Sequence, residues 1–570
     1  FNPNKKIYIS KSKQMFRKMK RTMAKHSSLF FQKKFDLMYF SKIVLLIFIA
    51  RKLLIPEIFA QSYPEFSCTV FDTSTSGYYF LVPIRVGSGG PVQNPTQMIL
   101  DRNGNVVYTK EFASGNTGDF KLQPNGLISY SFQNKFYLMD STFTIVDSVR
   151  IKNGFIQDGH DMQILPNGHF LLLGWENITM DLSSYAIFNN NGTVGSANAT
   201  VRCGIVQEQD ANKNVVFEWH SKDYFNFTEV DTTRLLNPAN VDWTHFNAVE
   251  LDDDGNILVS VRHFNEITKV NRSTGAVMWR LGGKMNQFTF TNDSTQFIGQ
   301  HDIRRIANGN ITILDNGRPG PPVHPVRAKE YSLDENNLIA TLVWSHTSDS
   351  LISSEAIGNV QRLSNGNTLI NYGMVDNLPQ VFNVVNSAGG KVFELAFTDS
   401  LRSYRVFNYE TLPWALNRPE ISCVDSNGIF FLDAGSGHSS YLWSNGETTQ
   451  LIQVNDTGLY SVFVPRGEGG FICSETFSVN NLSDPCNLIS VLIKDNLNFE
   501  NSIYPNPFTS EIYFKGNSEP EYFELLNSIG VVVWSGTELK DQDFSSLFPG
   551  MYFLKIISNK NSVIVKMLKL

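Results

Sequence analysis

Three histidines stand in one register of a repeat, at His160, His245 and His301. The first copy reads HDMQILPNG from His160 to Gly168 and the third reads HDIRRIANG from His301 to Gly309. The middle copy, HFNAVELDDDG from His245 to Gly255, keeps the pattern with a turn two residues longer. An imidazole that is neutral near pH 7 is a competent nucleophile, and a protonated one is a general acid. Crowded together, imidazoles push one another's pKa values apart, so one set can supply both roles. Arg262, at the end of NILVSVR, adds a guanidinium fork suited to anionic oxygens. Three imidazoles could also hold zinc or another transition metal. Arg262 in the same pocket disfavours a cation, so neither metal nor cofactor is expected.

Each copy predicts a short apolar strand, a tight Asn/Asp-Gly turn and a second strand. The same hairpin recurs without histidine around Asn125-Gly126 and Asn365-Gly366, where Gly118 and Gly358 stand in the histidine's place. Several copies continue into strands ending in an aromatic, as in NVVFEWH, GAVMWRLGG and LIATLVWSH. Units of about 40 to 55 residues with four strands each are the signature of a propeller, because a blade cannot bury both faces until neighbours stack on it. The blades are expected between about Tyr63 and Glu410, with one long blade between His160 and His245. Innermost strands line the central channel, so the three imidazoles should face one cavity and Arg262 its mouth. Strict alternation would turn His263 to the opposite face. That histidine, with His169, His220, His324, His346 and His438, reads as a surface or loop residue. Trp219, Trp279 and Trp344 read as packing between blades, and Asp252, Asp253 and Asp254 as a solvated turn.

The 570 residues, 42% hydrophobic and 12% aromatic, have room for several domains and for a packed, β-rich core. A net charge of −6 provides no basic field and sets nucleic acid aside as a partner. Residues 1–61 differ: a basic stretch, the apolar run Ile43 to Ala50, Arg51-Lys52 and then IFAQ. This pattern resembles a secretory signal, and the apolar run is too short to span a bilayer. The five cysteines, Cys68, Cys203, Cys423, Cys473 and Cys486, make no disulfide framework or zinc pattern. Cys423 and Cys473 bracket one candidate module and could pair.

After Glu410, SYLWSNGETTQLIQVNDTGLYSVFV resembles the small immunoglobulin-like modules of Bacteroidetes surface proteins, for which a spacer role is expected. The last segment carries YPNPF at Tyr504 to Phe508, LLNSIG, PGMYFLKI from Pro549 and a lysine-containing end. Together these resemble the C-terminal sorting domain of type IX secretion cargo. The resemblance implies the type IX machinery as a partner and a secreted or cell-surface destination.

The stretch from Asp242 to Gly283, DWTHFNAVELDDDGNILVSVRHFNEITKVNRSTGAVMWRLGG, followed by QHDIRRIANGNITILDNG from Gln300 to Gly317, resembles the bacterial arylsulfate sulfotransferase family. The likeness runs from about Gly77 to Glu410. It implies a six-bladed propeller that moves a sulfuryl group from a phenolic sulfate ester to a phenolic acceptor, without a nucleotide sulfate donor. By this resemblance His301 matches the nucleophile that becomes transiently sulfated. His245 and Arg262 match residues that hold the sulfate oxygens, His160 the third histidine of the pocket, and Asn247 a polar contact to the sulfate. The general acid would be His245 or His160. Known members also carry an extra N-terminal β-domain and a disulfide near the nucleophile. No cysteine falls between Cys203 and Cys423 here, so their modes of stabilisation and dimerisation do not carry over.

The expected organisation is all-β: an N-terminal basic region and signal over 1–61, a six-bladed β-propeller over 62–410, then two small β-sandwich domains. These are an immunoglobulin-like module over 411–485 and the sorting domain over 486–570. The expected activity is aryl-sulfate sulfotransfer by a ping-pong route. The alternative is a non-catalytic surface propeller that binds sulfated or anionic ligands.

Overall fold

The computed structural model describes residues 63–483, Cys486 and 503–569, apart from short internal breaks. The basic region and signal expected over 1–61 lie outside the described residues. What is described consists of β-strands joined by loops and four short 3₁₀ turns, so the all-β expectation holds.

Six sheets, each with four antiparallel strands at its heart, build the region from Phe66 to Tyr409. Five are nearly continuous in sequence, covering 117–149, 156–220, 246–282, 301–347 and 359–397. The sixth is a seam: Leu401–Tyr409 pairs with Tyr78–Arg85, which begins the first hairpins, in a register from Tyr78 opposite Tyr409 to Arg85 opposite Leu401. The innermost strands are Thr117–Leu122, Ile156–Ile164, Phe246–Leu251, His301–Arg305, Asn359–Arg362 and Leu401–Tyr409. Each touches the next, and the last returns to the first, closing a ring. This is the arrangement of a propeller.

The hydrophobic cores lie between neighbouring sheets. Leu171, Val206 and Trp219 pack against Val249 and Val259, and Ala248 and Ile267 pack against Ile303 and Ile313. Stacking on both faces explains why Ile257–Val261, ILVSV, is buried at every position instead of at alternate ones. It also buries Asp252, expected in a solvated turn: its carboxylate meets Lys269 Nζ at 2.8 Å and Arg305 Nε at 2.5 Å.

The inner strands are irregular where the site forms. Pairing register shifts between Gly118 and Lys121, opposite 158–161, between Phe246 and Ala248, and between His301 and Arg304. Asp119, His245 and Asp302 take positive φ of 47°, 49° and 59°. An extra residue in a strand re-aims the side chains beside it, here toward the ring's axis. His301 opens its strand as expected and His245 directly precedes one, whereas His160 lies inside Ile156–Ile164.

Beyond Tyr409, Gly470–Cys473 pairs antiparallel with Val106–Glu111 and prolongs the seam sheet outward. Gly470–Cys473 thus covers the edge of a propeller sheet, which would otherwise offer unpaired backbone groups. Trp414 Nε1 adds a hydrogen bond to Gly126 O at 3.0 Å. Cys423 pairs with Cys486, not with Cys473, which is buried as a free thiol. In the C-terminal segment, Tyr522–Asn527, Val532–Gly536, Gly550–Ser558 and Asn561–Lys569 form one sheet over a core that includes Phe508, Leu525, Leu554 and Met567.

Candidate active site

The three register histidines meet at one end of the ring's axis, each with a different partner. His160 Nδ1 bonds Asp158 Oδ1, and the same carboxylate oxygen accepts the His160 backbone N–H at 2.8 Å. Burial works against the His160 cation, but the charge and hydrogen bond of Asp158 outweigh it and hold the imidazole above its ordinary pKa. His245 lies 5.1 Å from His160, ring centre to ring centre, and its Nδ1 meets Asp242 Oδ2 at 2.6 Å. There burial prevails over Asp242, and the charges of His160 and Arg262 add to it, so His245 is lowered.

His301 has no carboxylate partner. Its Nδ1 lies 2.8 Å from Asn316 Oδ1 and 3.1 Å from Gly299 O, while its Nε2 accepts the backbone N–H of Ile357 at 3.1 Å. Two carbonyl acceptors on Nδ1 and a donor on Nε2 define a neutral ring protonated at Nδ1. Burial and the charge of Arg262 hold its pKa well below the usual value.

Arg262 and His263 share a 3₁₀ turn, Arg262–Phe264, that breaks the alternation of the preceding strand. Both are therefore buried, and His263 stacks on His245 at 4.6 Å. His263 is a member of the site, not the outward-facing residue alternation predicts. It donates from Nδ1 to Asp242 O at 2.7 Å and accepts from Arg262 Nη1 at 3.0 Å. Asp242, His245 and His263 bring ligand-type atoms within 4.8 Å of one another. The His263 nitrogens are both engaged and a guanidinium lies against one of them, which makes this a poor donor set for a cation. Arg262 Nη2 donates to Glu355 O at 2.6 Å. Its Nε is buried with no hydrogen-bond partner, a donor ready for an anion. Burial, reinforced by Arg234, lowers the Arg262 pKa to about 10, so the guanidinium stays charged at neutral pH.

Asn247, fully buried, donates from Nδ2 to Gln300 O at 2.8 Å and so ties the middle histidine strand to the residue before His301. Two cavities open onto this cluster. One, of about 600 Å³, is lined by His160, His245, Phe132, Trp175 and Tyr404. The other, of about 510 Å³, is lined by Arg234, Arg262, His263 and again His245. His301, 2% exposed, lines neither, because Ile357 covers it.

Beneath the histidines the axis is filled with charge. Arg405 meets Asp119 at 2.7 Å, Asp161 at 3.2 Å and Asp302 at 3.1 Å, and Lys121 meets Asp161 at 2.6 Å. Arg304 joins Asp161 and Asp302, each at 2.8 Å. Asp161 and Asp302 are the aspartates that follow His160 and His301, so each HD pair places its imidazole in the histidine cluster and its carboxylate in the plug below. Sequence reasoning missed this plug, although the HD repeat was its visible sign. It also missed Asp158 and Asp242, two and three residues before their histidines, and Asn316 in the DNG that ends the strand paired with His301.

Residues 82–407 match the Arylsulfotransferase (ASST) family, and residues 502–569 match the secretion system C-terminal sorting domain. No curated protein matches the chain. Among solved structures, the chain is similar to a protein of unknown function from Bacteroides caccae, at 12% identity over 58% of this chain and 98% of that one, with a TM-score of 0.37. A catalytically inactive virginiamycin B lyase from Staphylococcus aureus is similar at 9% identity, 65% and 96% coverage and a TM-score of 0.29. The Cps50 (Swd1) β-propeller domain of Myceliophteria thermophila gives 10%, 64% and 96%, and 0.31. The sorting domain marks export to the cell surface or beyond it. With more than half of its length inside the family match, this chain belongs to the arylsulfotransferase family.

Proposed function

We propose that the protein transfers a sulfuryl group from a phenolic sulfate ester to a phenolic acceptor through a sulfated His301, in two displacements and without a nucleotide donor. The observation that carries the reading is the contrast in partners within one cluster: His301 sits on an amide carbonyl with its Nε2 unprotonated, while His160 sits on the Asp158 carboxylate.

In the first displacement, Nε2 attacks sulfur and the S–O bond to the aryl group breaks. The departing phenolic oxygen keeps the electron pair and takes a proton from His160, the histidine whose carboxylate partner suits it to general acid work. In the second, the acceptor's phenolic oxygen attacks sulfur, gives its proton back to His160, and the N–S pair returns to Nε2. Charge on the non-bridging oxygens falls to the unpartnered Arg262 Nε–H, and to His245 when the arriving anion brings a proton onto its Nε2. Asn247 contributes the second hydrogen of its amide nitrogen. The aromatic walls Phe132, Trp175 and Tyr404 suit the phenyl rings of donor and acceptor. For the first displacement to occur, Ile357 N–H must yield Nε2 to the sulfur.

The same reading divides the chain into a signal region over 1–61, a catalytic propeller over 62–410, an immunoglobulin-like module over 411–485 and a sorting domain over 486–570. The type IX machinery would be its partner in export.

One observation favours a second reading, an exported propeller that binds sulfated or anionic ligands without turnover: the His301 lone pair is already occupied in the resting site. The two readings separate in an assay of the purified full chain with p-nitrophenyl sulfate, with and without phenol, beside a His301→Asn variant. Acceptor-dependent release of p-nitrophenol that vanishes in the variant is expected. A folded protein that binds the ester and leaves it intact would establish the binder.

A further inference from the structure

The partner of the nucleophile is set by a chain of hydrogen bonds that admits one arrangement. Asn316 is 1% exposed and directly follows Ile311–Asp315, the strand paired with that of His301. Its Nδ2 reaches Ile357 O at 2.9 Å and Ser354 Oγ at 3.1 Å. The Ser354 hydroxyl donates to Ala356 O at 3.1 Å, so it accepts from the amide. Both amide hydrogens are thereby placed, and the atom left facing His301 is the carbonyl oxygen. That oxygen accepts Nδ1–H at 2.8 Å. Gly299 O supports the same tautomer from farther off, at 3.1 Å.

The neutrality of this partner has a chemical consequence. His160 and His245 sit on carboxylates, which favour the imidazolium. A carboxylate on His301 would hold a proton on the atom that has to attack. It would also stabilise the cationic ring of the sulfated intermediate, from which the sulfuryl group must depart. An amide carbonyl orients the ring and does neither.

Resting on the sulfohistidine reading, we propose that Asn316 is the positioning residue of the nucleophile: its carbonyl keeps Nδ1 protonated and Nε2 open for attack on sulfur, and its lack of charge keeps the ring a ready leaving group in the second displacement. In the first displacement the N–S bond forms as the S–O bond breaks. The Nδ1 proton stays in place, and the ring carries a positive charge until the acceptor takes the sulfuryl group.

The test is Asn316→Asp in the full chain, followed by rapid-mixing kinetics across pH. The charged and titratable groups facing His301 are Arg262, His245 and His160, and all three remain in the variant. The acid limb of the first displacement should move up by at least one pH unit, with a tenfold slower burst at pH values below it. The trapped sulfated protein should live at least tenfold longer. Ser354→Ala loosens the loop but leaves the carbonyl on Nδ1, and it should not move the acid limb. Selective ¹⁵N-histidine NMR of the unaltered protein supplies a readout that needs no variant: His301 should show a protonated Nδ1 and an unprotonated Nε2. Three results would overturn the assignment: the opposite tautomer, an Asn316→Asp enzyme with limb and lifetime unchanged, or a Ser354→Ala limb shift of equal size. A His301→Asn protein that still transfers would instead remove the nucleophile reading itself.

Discussion

His160 and His301 occupy the same repeat register, each followed by an aspartate that drops into the axial plug, yet their imidazoles are driven in opposite directions. A carboxylate two residues upstream raises His160; burial and the charge of Arg262 lower His301, whose partner, an amide 15 residues downstream, brings no charge to offset them. The lesson is that a repeated frame can deliver chemically distinct groups when the hydrogen-bond partner, the burial and the neighbouring charge of each copy differ. A carboxylate partner is not sufficient by itself, because His245 also bonds one, Asp242, and burial still lowers it.

Reversing the comparison should have the largest effect. The double variant Asp158→Asn with Asn316→Asp gives the carboxylate to His301 and the amide to His160. Sulfuryl transfer from a phenyl sulfate with a poor leaving group should fall about a thousandfold at pH 7, the combined loss of acid catalysis and of free Nε2. Arg262→Ala leaves both partners intact and removes the shared guanidinium. A loss in kcat of about a hundredfold or more is expected, as for a missing oxyanion donor, with p-nitrophenol release as the measure.

Asp158→Asn alone sharpens the acid half. The folded-state pKa of His160 is raised, so the acid form persists above the ordinary histidine range and activity declines as pH rises through that raised value. Without the carboxylate this alkaline limb should move to lower pH, with about a tenfold loss at pH 8 for phenyl sulfate and little for p-nitrophenyl sulfate, whose phenolate leaves readily. The smallest effect should come from His169→Asn. That imidazole bonds Glu208 at 2.6 Å, away from the cluster, and steady-state rates should stay within about twofold.

The histidines were legible because a fixed residue type at a fixed spacing survives translation into a ring: equivalent positions of successive sheets must converge. Their partners were less so. Asp158 and Asp242 are near neighbours in sequence, but whether a carboxylate turns toward the imidazole depends on the bulges and the positive φ of His245. Asn316 reaches His301 only through the pairing of two strands, which places His301 opposite Leu314. His263 was misplaced because alternation holds within a strand and the chain leaves the strand at Val261. Asp252 was misread for a different reason: a turn that looks solvated is covered once its own sheet supplies Lys269 and the next sheet supplies Arg305.

Ile357 holds its backbone N–H against His301 Nε2 from a left-handed conformation, φ 55°, that a β-branched residue seldom adopts. For a protein exported from the cell, this amounts to a form of chemical restraint. Electrophiles in the surroundings meet a buried imidazole whose lone pair is already spoken for, while in the proposed mechanism a sulfate ester held by Arg262 would displace the peptide hydrogen. On that proposal, unmasking His301 and recognising the donor would become a single event, and selectivity would be exercised before any bond to sulfur begins to form.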